Sequence, residues 1–382
     1  MVVFAGPNGS GKTSLIDEIK QTGLATVRGV YPLPAYFINP DQVAKDLKGD
    51  FPDQNARDET AQSAAMRIRA EATASRLPFA FETVMSHPSR INEMLMLKEP
   101  DYRLFLTFIT TDDPEKNVAR VTLCYETGTT TGHYVALDMV RERYHRTLAL
   151  LPRAAEIADA VYIYDNSVDF EKPKLQAVIE RDAQFSVSPD AKDWVIQRLV
   201  HPLQRREREL DQLIADLEKV GCQVGDADEL HGIYKGVVLS TTTYFLAQMD
   251  DATKQAVIHD RLMLDTGRKG AGNEPPTYAH REILTVHYSP ANAPRVERHG
   301  LAPETAPDEL GAKKSETEKP WSLKWMRSLT LRLSPRACAR RRPARLRTNC
   351  RITGQPSRAA PVPIPRSCCA LFWPTPGSSA SS

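Results

Sequence analysis

A glycine-rich segment near the start of the chain has the residue types and spacing of a phosphate-binding loop. Residues 6–13 read GPNGSGKT, which matches the pattern G-x-x-x-x-G-K-[ST]. Its glycines permit a backbone whose amides converge on a phosphate, Lys12 can reach the β- and γ-phosphates, and Thr13 can ligate Mg²⁺. We therefore predict a nucleotide site with Mg²⁺ at Thr13. Its members are Gly6, Pro7, Asn8, Gly9, Ser10, Gly11, Lys12, Thr13 and Ser14.

The segments on either side of this loop indicate how it is held. Met1–Ala5 is an apolar run typical of a strand, and Ser14–Gln21 has the pattern of a helix. A helix that begins at the loop adds its free amides and the positive end of its dipole to the attraction for phosphate. The alternative is a glycine-rich turn without a ligand, and the flanking strand and helix disfavour it.

Carboxylates follow further strand-like runs. Asp41 comes shortly after Tyr36–Ile38, Glu82 and Thr83 come directly after a run that ends at Phe81, and Asp165 ends another. Open α/β sheets place ligand groups at the carboxyl ends of their strands, so Asp41 and Glu82 are candidates for contact with a substrate or a metal. The alternatives are a dipole-compensating aspartate in a first helical turn and a solvent-facing glutamate in a loop.

Three arginines lie on two predicted helices that follow. Arg120 is in Pro114–Glu126, and Arg143 and Arg146 are in Leu137–Leu151. Because Arg143 and Arg146 are three residues apart, both could lean over one site and clamp a transferring phosphoryl group. Solvated helix arginines are the alternative. The intervening glycine- and threonine-rich stretch, residues 127–133, could act as a lid.

Strand-like and helical segments alternate from residue 1 to about residue 182. This alternation predicts βαβ units and an α/β fold of the P-loop NTPase type, with a parallel sheet flanked by helices. Besides the segments above, the expected helices are Asp58–Arg76 and His87–Lys98. The expected core strands include Tyr102–Ile109 and, as the last strand of the sheet, Ala160–Tyr164.

Four ordered blocks of the chain resemble the zeta-toxin-like P-loop kinases. They are FAGPNGSGKT, FINPDQVAKDL, FAFETVMSHPSR and GHYVALDMVRERYHRTLALLPRAAEIADAVYIYDNS, within about residues 2–170. The resemblance implies an enzyme that uses ATP and Mg²⁺ to phosphorylate a sugar hydroxyl of UDP-N-acetylglucosamine or a similar small molecule. It also implies that an antitoxin protein could be a partner.

The resemblance assigns roles by position. Asp41 would orient or deprotonate the acceptor hydroxyl, Glu82 and Thr83 would line the substrate pocket, and Lys12 and Thr13 would hold the phosphates and Mg²⁺. The arginines that would neutralise charge on the γ-phosphoryl group are Arg120, Arg143 and Arg146. The chain departs from the family where it has GTTTGH in place of a compact glycine-glycine-histidine turn, and Cys124 where an arginine often stands.

The chain changes character after residue 182. Residues 183–225 are predicted to be a charged helical linker, centred on Pro189–Val220, whose charge run would form a solvated face. Residues 231–300 predict a small antiparallel β module, because they hold short strand-like runs at Ile233–Gln248, Ala256–Leu264 and Glu282–Tyr288. This region resembles the KfrB-like module of plasmid proteins through Tyr234, Gly236, Gln248, His259 and Asp260. We interpret His259-Asp260 as a structural pair in preference to a catalytic one, and the module as a binding or accessory element.

The last segment, residues 301–382, is expected to have no fold. Met326–Ser382 holds eleven arginines, no lysine and no acidic residue. It could be a disordered basic tail that binds nucleic acid or acidic lipid, or a frameshifted translation, and the missing lysines and acids favour the second. Without these charges the net charge of +2 becomes −9 for residues 1–325.

The composition bounds the function classes. A chain of 382 residues can hold two domains, and an acidic folded part gives no basis for a nucleic-acid surface. No apolar run reaches the ~20 residues of a membrane span, no secretory signal is evident, and the cysteine spacing fits no zinc site. We expect a cytoplasmic enzyme with no membrane contact. The alternative is a plasmid-associated protein that uses ATP as a switch for binding DNA or a partner.

Overall fold

The computed structural model describes residues 1–26, 28–47, 49–98, 102–127, 135–180, 184–265 and 277–303. These residues belong to one compact unit. The predicted lid and the predicted tail from residue 304 onward lie outside the described residues. So does the side chain of Asp41, whose backbone is described.

Strands and helices alternate through the first half of the chain, as predicted. Their bounds are β1 (Val2–Ala5), α1 (Lys12–Thr22), β2 (Leu24–Thr26), β3 (Gly29–Tyr31), β4 (Tyr36–Ile38), α2 (Pro40–Asp46), α3 (Gln54–Ala74), β5 (Phe79–Thr83), α4 (Pro88–Lys98), β6 (Phe105–Thr110), α5 (Pro114–Glu126), α6 (Leu137–Ile157), β7 (Ala160–Asp165), β8 (Lys174–Glu180) and β9 (Gln184–Val187).

The main sheet has seven strands in the order β4-β5-β1-β6-β7-β8-β9. Strands β4, β5, β1, β6 and β7 are parallel, and β8 and β9 continue the sheet antiparallel. Alternate residues of β1 face opposite sides, so Val3 packs in the core with α3, α4 and α6 while Phe4 packs with α1. The chain therefore has the predicted α/β fold, a largely parallel sheet between helices.

Two details of this half differ from prediction. The sheet does not end at β7, because β8 and β9 extend it as an antiparallel hairpin. These edge strands are partly exposed and lack the continuous apolar run of a strand buried on both faces. Helix α6 continues past Leu151 through Pro152 to Ile157, since Ala154, Ala155 and Ile157 remain buried in the core.

The second half forms a long helix and a second sheet. Its elements are α7 (Asp193–Val195), a π-helical turn (Ile196–Val200), α8 (His201–Lys219), β10 (Val224–Asp226), β11 (Ile233–Thr241), β12 (Phe245–Asp250), β13 (Ala256–Asp260), α9 (Arg261–Asp265), β14 (Glu282–Ser289) and β15 (Asn292–Leu301). The predicted long helix is confirmed over 193–219.

The second sheet has the order β10-β13-β12-β11-β14-β15. Its pairs are antiparallel except β10 with β13, so the predicted antiparallel module carries one parallel edge. The run 233–248, predicted as one segment, folds into the hairpin β11–β12, whose turn is closed by a Thr242 amide that donates to the Phe245 carbonyl. The run 256–264 is a strand only to Asp260, after which α9 begins, with Met263 and Leu264 buried in the cores.

Helix α8 keeps a largely solvated charged face, as predicted, but departs from the prediction at Arg206. Leu213 and Leu217 pack against the second sheet, and Arg206, in the most charged stretch, is 1% exposed. Its guanidinium donates to Glu156 of α6 (Nε to Oε1, 2.7 Å) and to Asp260 at the end of β13 (Nη2 to Oδ2, 2.5 Å). Arg206 therefore joins the main sheet's helices to the second sheet through buried ion pairs.

His259 and Asp260 have separate structural environments. The His259 ring is fully buried, with Nδ1 2.9 Å from the Tyr288 hydroxyl and Nε2 3.1 Å from Gln248 Oε1. Since Gln248 Oε1 can only accept, Nε2 of the neutral ring donates and Nδ1 accepts from Tyr288. Asp260 points to Arg206 instead. These contacts give both residues structural roles, in agreement with the interpretation from sequence.

The His259 environment predicts a pH-dependent stability. Burial lowers the pKa of His259 to about 3, against the partial opposition of Asp250. Because the folded-state pKa lies below the unfolded value of 6.5, this stabilisation is complete above about pH 6.5 and falls by about 1.4 kcal/mol per pH unit as the pH is lowered towards 3. Urea unfolding between about pH 6.5 and about pH 5 measures this slope.

His259→Gln is the matched control, because glutamine can donate to Gln248 and does not titrate. We expect this variant to lose the slope attributed to His259 while the contributions of other groups remain. An unchanged slope in His259→Gln would contradict the assignment.

Candidate functional site

The glycine-rich loop leaves β1 and enters α1 in a conformation that only glycine adopts easily. Gly9 has φ 73° and Gly11 has φ 90°, both in the left-handed region. Side chains at these positions would also collide with neighbours, since a Cβ on Gly9 would overlap the Asn117 carbonyl and one on Gly11 the Asn166 amide. The loop is thus shaped by backbone geometry and by two asparagines from other elements.

Asn117 and Asn166 hold the loop from outside. The Asn117 side chain, on α5, donates to the Asn8 carbonyl (2.6 Å), and the Asn166 side chain, after β7, donates to the Ser10 carbonyl (2.9 Å). Asn117 was not identified from the sequence, and Asn166 carried no assigned role. No local pattern marks Asn117, because it lies 109 residues from its partner.

Lys12 lies at the centre of the loop, 7% exposed. Its Nζ donates to the Gly6 and Pro7 carbonyls (2.9 and 3.0 Å), and lies 3.7 Å from Glu82 Oε1. Glu82 belongs to β5, which pairs directly with β1, and its Oε2 accepts from the Asn39 amide at 3.4 Å. A carboxylate thus lies beside the lysine of the loop, on the rim of the sheet where the sequence predicted it.

The loop has groups that fit a phosphate and a metal ion. The Ser10 hydroxyl is buried and lacks a hydrogen-bond partner among the described residues, and Thr13 and Ser14 are exposed at the start of α1. Mg²⁺ is usually held by one or two protein oxygens together with substrate phosphates and water. Thr13 and Glu82 supply oxygens of that kind, so the residues present fit a magnesium–nucleotide complex.

Arg143 and Arg146 lie on the first half of α6. Arg143 donates through Nη1 to Asn8 Oδ1 in the loop (3.4 Å), and Arg146 pairs with Glu142 on its own helix (3.1 Å). Burial and then the neighbouring Arg146 lower the pKa of Arg143. Two half-buried guanidiniums close enough to repel each other are an arrangement that an anion would stabilise.

Arg120 contacts the loop that follows β7. It donates through Nη2 to Asp169 Oδ1 (2.6 Å) and through Nη1 to the Asn166 carbonyl (2.8 Å). Arg120 thereby supports Asn166, which in turn holds the Ser10 carbonyl. Asp165, the neighbouring acid, is buried and accepts from Ser167 and from Trp194 Nε1 (2.8 Å), so its contacts fasten the end of β7 to α7.

The remaining predicted residues lie at the carboxyl ends of β4 and β5. Asp41 is the second residue of α2, immediately beyond β4. Thr83 ends β5, where its carbonyl accepts from the Gly6 amide (3.3 Å) and its hydroxyl accepts from the Met85 amide (3.1 Å). The backbone of these residues therefore shares one rim of the sheet with the glycine-rich loop.

Two features of other kinds of site are absent from the described part of the chain. No described helix is both long and apolar enough to cross a membrane. Within the same residues, no group of three or more His, Cys, Asp and Glu side chains could hold a metal ion. The glycine-rich loop and its rim are the candidate site.

Comparisons with known proteins give distant likenesses. No family model matches the chain. An uncharacterized protein of Haemophilus influenzae is 27% identical over 143 residues, which are 37% of this chain and 91% of that protein.

Two solved structures match part of the chain. AvrRxo1-ORF1:-ORF2 with ATP matches 49% of this chain at 14% identity and a TM-score of 0.37, and this chain covers only 60% of that one. The PezAT chromosomal toxin–antitoxin system of Streptococcus pneumoniae matches 56% of this chain and 87% of its own, at 13% identity and a TM-score of 0.33.

Proposed function

We propose that this protein is an ATP-dependent phosphotransferase. The observation that carries the proposal is the glycine-rich loop between β1 and α1, with Lys12 at its centre, Glu82 beside it and Arg143 against Asn8. A lysine and an arginine thus both contact the loop, with acids on the adjoining rim, and this arrangement suits the binding of phosphate. Positioning and charge stabilisation of this kind supply most of the catalysis in phosphoryl transfer.

The residues of the proposed site would have separate roles. The loop amides and Lys12 bind the phosphates, and Ser10 donates its buried hydroxyl to a phosphate oxygen. Arg143 and Arg146 offset the negative charge that develops on the transferred group. Mg²⁺, held through Thr13 with Glu82 nearby, would neutralise charge on the β- and γ-phosphates.

The acceptor half of the proposed site is the rim formed by Asp41, Glu82 and Thr83. Asp41 would accept the proton of an acceptor hydroxyl, which then attacks the γ-phosphorus as ADP leaves. On the resemblance of the four sequence blocks, we propose a UDP-N-acetyl-amino sugar as the acceptor. The same resemblance supports an antitoxin partner and a cytoplasmic location as further proposals.

A transfer screen tests this function. The full chain is incubated with γ-labelled ATP, Mg²⁺ and a panel of UDP-sugars and nucleosides. We expect phosphate on a sugar hydroxyl of UDP-N-acetylglucosamine, and Asp41→Asn should lower the transfer rate at least ~100-fold while ATP still binds, because general base catalysis contributes about 10²–10⁴-fold.

Asp46→Asn is the matched control, since Asp46 is an exposed acid at the other end of α2 whose described contact is with Gln42. It should retain the wild-type rate. If the wild type transfers phosphate to no member of the panel yet binds DNA or a partner only with ATP, the protein is a switch and the proposed activity is wrong.

A further inference from the structure

The helix that carries Arg143 and Arg146 is attached to the sheet by two buried hydroxyls. Tyr144 is 4% exposed and its hydroxyl donates to the Thr111 carbonyl (2.8 Å). Thr147 is fully buried and its hydroxyl donates to the Val84 carbonyl (2.9 Å). Because the two residues are three apart, both project from one face of α6.

The acceptor carbonyls lie on both sides of the strand that leads to the glycine-rich loop. Thr111 directly follows β6 and Val84 directly follows β5, and these strands flank β1 in the sheet. Because the two contacts are made to separate strands, they fix both the position of α6 along its axis and its rotation about that axis. Each arginine is one residue before an anchor, so a rotation of the helix that broke the anchors would also carry the arginines away from the loop.

The anchors also belong to a closed chain of contacts with the loop. Arg143 donates to Asn8 Oδ1, and the Asn8 carbonyl accepts from Asn117. The Asn117 side-chain oxygen accepts from the Thr111 hydroxyl, and the Thr111 carbonyl accepts from Tyr144, the neighbour of Arg143. The glycine-rich loop and helix α6 are therefore held in position by one circuit of hydrogen bonds, which is buried at Thr111 and Tyr144 and part-buried at Asn8.

We propose that Tyr144 and Thr147 are positioning residues for phosphoryl transfer, acting through Arg143 and Arg146. This inference rests on the proposed function for its chemistry. The hydroxyls hold the guanidiniums where charge develops on the transferred phosphoryl group, and a displacement of about 1 Å at such a site can cost about 100-fold in rate. Both hydroxyls are donated to backbone carbonyls, so their effect on transfer would pass through the arginines.

ATP hydrolysis tests the proposal without knowledge of the acceptor, because water takes the acceptor's place. Tyr144→Phe and Thr147→Val each delete one hydroxyl at nearly constant volume. We expect kcat to fall about 10- to 100-fold with KM for ATP within about twofold, since the loss is confined to the transition state. Thr147→Ser keeps the hydroxyl and should restore most of the rate.

Tyr102→Phe is the matched control. Its hydroxyl also donates to backbone carbonyls, those of Ala72 and Leu77, but at the opposite end of β6 from the loop. This variant should keep the wild-type kcat. A comparable loss of kcat in Tyr102→Phe would show that any deleted hydroxyl perturbs the fold, and would overturn the proposal.

A double-mutant cycle separates positioning from a general structural role. In a background of Arg143→Ala and Arg146→Ala, Thr147→Val should lower kcat no further, because the groups that it positions are gone. An equal further loss in that background would overturn the proposal, and so would a Thr147→Ser variant as slow as Thr147→Val. Hydrolysis that follows these expectations with no transfer to any acceptor would refute the proposed acceptor and leave the positioning role standing.

Discussion

Replacement of Lys12 by alanine should lower phosphate transfer at least ~1,000-fold and weaken ATP binding. Lys12 is the cation inside the glycine-rich loop, 7% exposed, and its Nζ is held by two loop carbonyls beside Glu82. Its removal deletes the charge that meets the β- and γ-phosphates. It also leaves the Glu82 carboxylate facing the phosphates without its cation, so electrostatic repulsion replaces attraction.

Initial rates and calorimetric titration with ATP measure the two effects. Lys20→Ala is the matched control, because Lys20 lies on the same helix with its side chain 48% exposed and pairs only weakly with Asp17 (3.5 Å). Wild-type behaviour is expected for Lys20→Ala. Transfer by Lys12→Ala within about tenfold of the wild type would contradict a phosphate role for this lysine, since even one stabilising donor is typically worth about 10²–10³-fold.

The second large effect is expected at Arg206, which lies outside the glycine-rich loop and its rim. Arg206→Ala should lower the free energy of unfolding by about 3–5 kcal/mol, because removal of one partner from a buried ion pair leaves the other charge uncompensated. Here two carboxylates, Glu156 and Asp260, lose their shared guanidinium. The Tyr244 and Phe245 rings, with centroids 5.3 and 5.0 Å from it, also lose a packed side chain.

The neighbouring charges cannot compensate for the loss of the Arg206 guanidinium. Arg153 already pairs with Glu229 (2.5 Å), Glu156 (3.3 Å) and Asp260 (3.3 Å), so three acids would share one arginine. Burial opposes ionisation of Asp260, but Arg206 and then Arg153 outweigh it and keep the pKa of Asp260 below its usual value. Without Arg206, part of this stabilisation of the carboxylate is lost.

Denaturant unfolding at neutral pH measures the change, with Arg205→Ala as the matched control. Arg205 is the adjacent residue and its side chain is 57% exposed. It pairs with Glu209 on its own helix at 2.9 Å and donates to the Thr243 hydroxyl at 2.8 Å. Exposed pairs of this kind contribute about 0–1 kcal/mol. If Arg206→Ala lowers the free energy of unfolding no more than Arg205→Ala does, the buried ion pairs of Arg206 do not stabilise the fold.

The buried ion pairs of Arg153 and Arg206 determine which form of the protein should be assayed. Arg153 and Glu156 belong to α6, Arg206 belongs to α8, and Glu229 and Asp260 belong to the second sheet region. A fragment that ended near residue 225 would lack Glu229 and Asp260, so Arg153 would lose two of its partners and Arg206 would lose one. Activity measurements therefore require the full chain, although the glycine-rich loop lies entirely in its first fourteen residues.

Much of the nucleotide half of the site follows from local sequence. The segment 6–13 combines glycines, Lys12 and Thr13 at fixed spacing, and the required strand and helix are its immediate neighbours. Likewise, the runs that became β1, β5, β6 and β7 are apolar because strands between two helical layers are buried on both faces. Such signals lie within a few residues of each other, so the sequence alone is enough to find them.

The tertiary structure decided the contacts that set the geometry of the site. Asn117 and Asn166 support the loop from 109 and 156 residues away, and the Tyr144 and Thr147 hydroxyls meet carbonyls after β6 and β5. Each is an ordinary polar residue in its own segment, and its role depends on a partner that only the sheet order brings near.

In the charged helix α8, too, some properties follow from local sequence and others depend on packing. Its sequence determined that a long helix forms, because helical propensity and charge spacing are local properties. The sequence could not distinguish Arg206 from Arg205, one buried and one exposed, since that depends on which face meets Glu156 and Asp260. Residue type and local spacing thus determined the loop and the elements, whereas packing between distant segments decided which charges are buried and which hydroxyls hold the arginines.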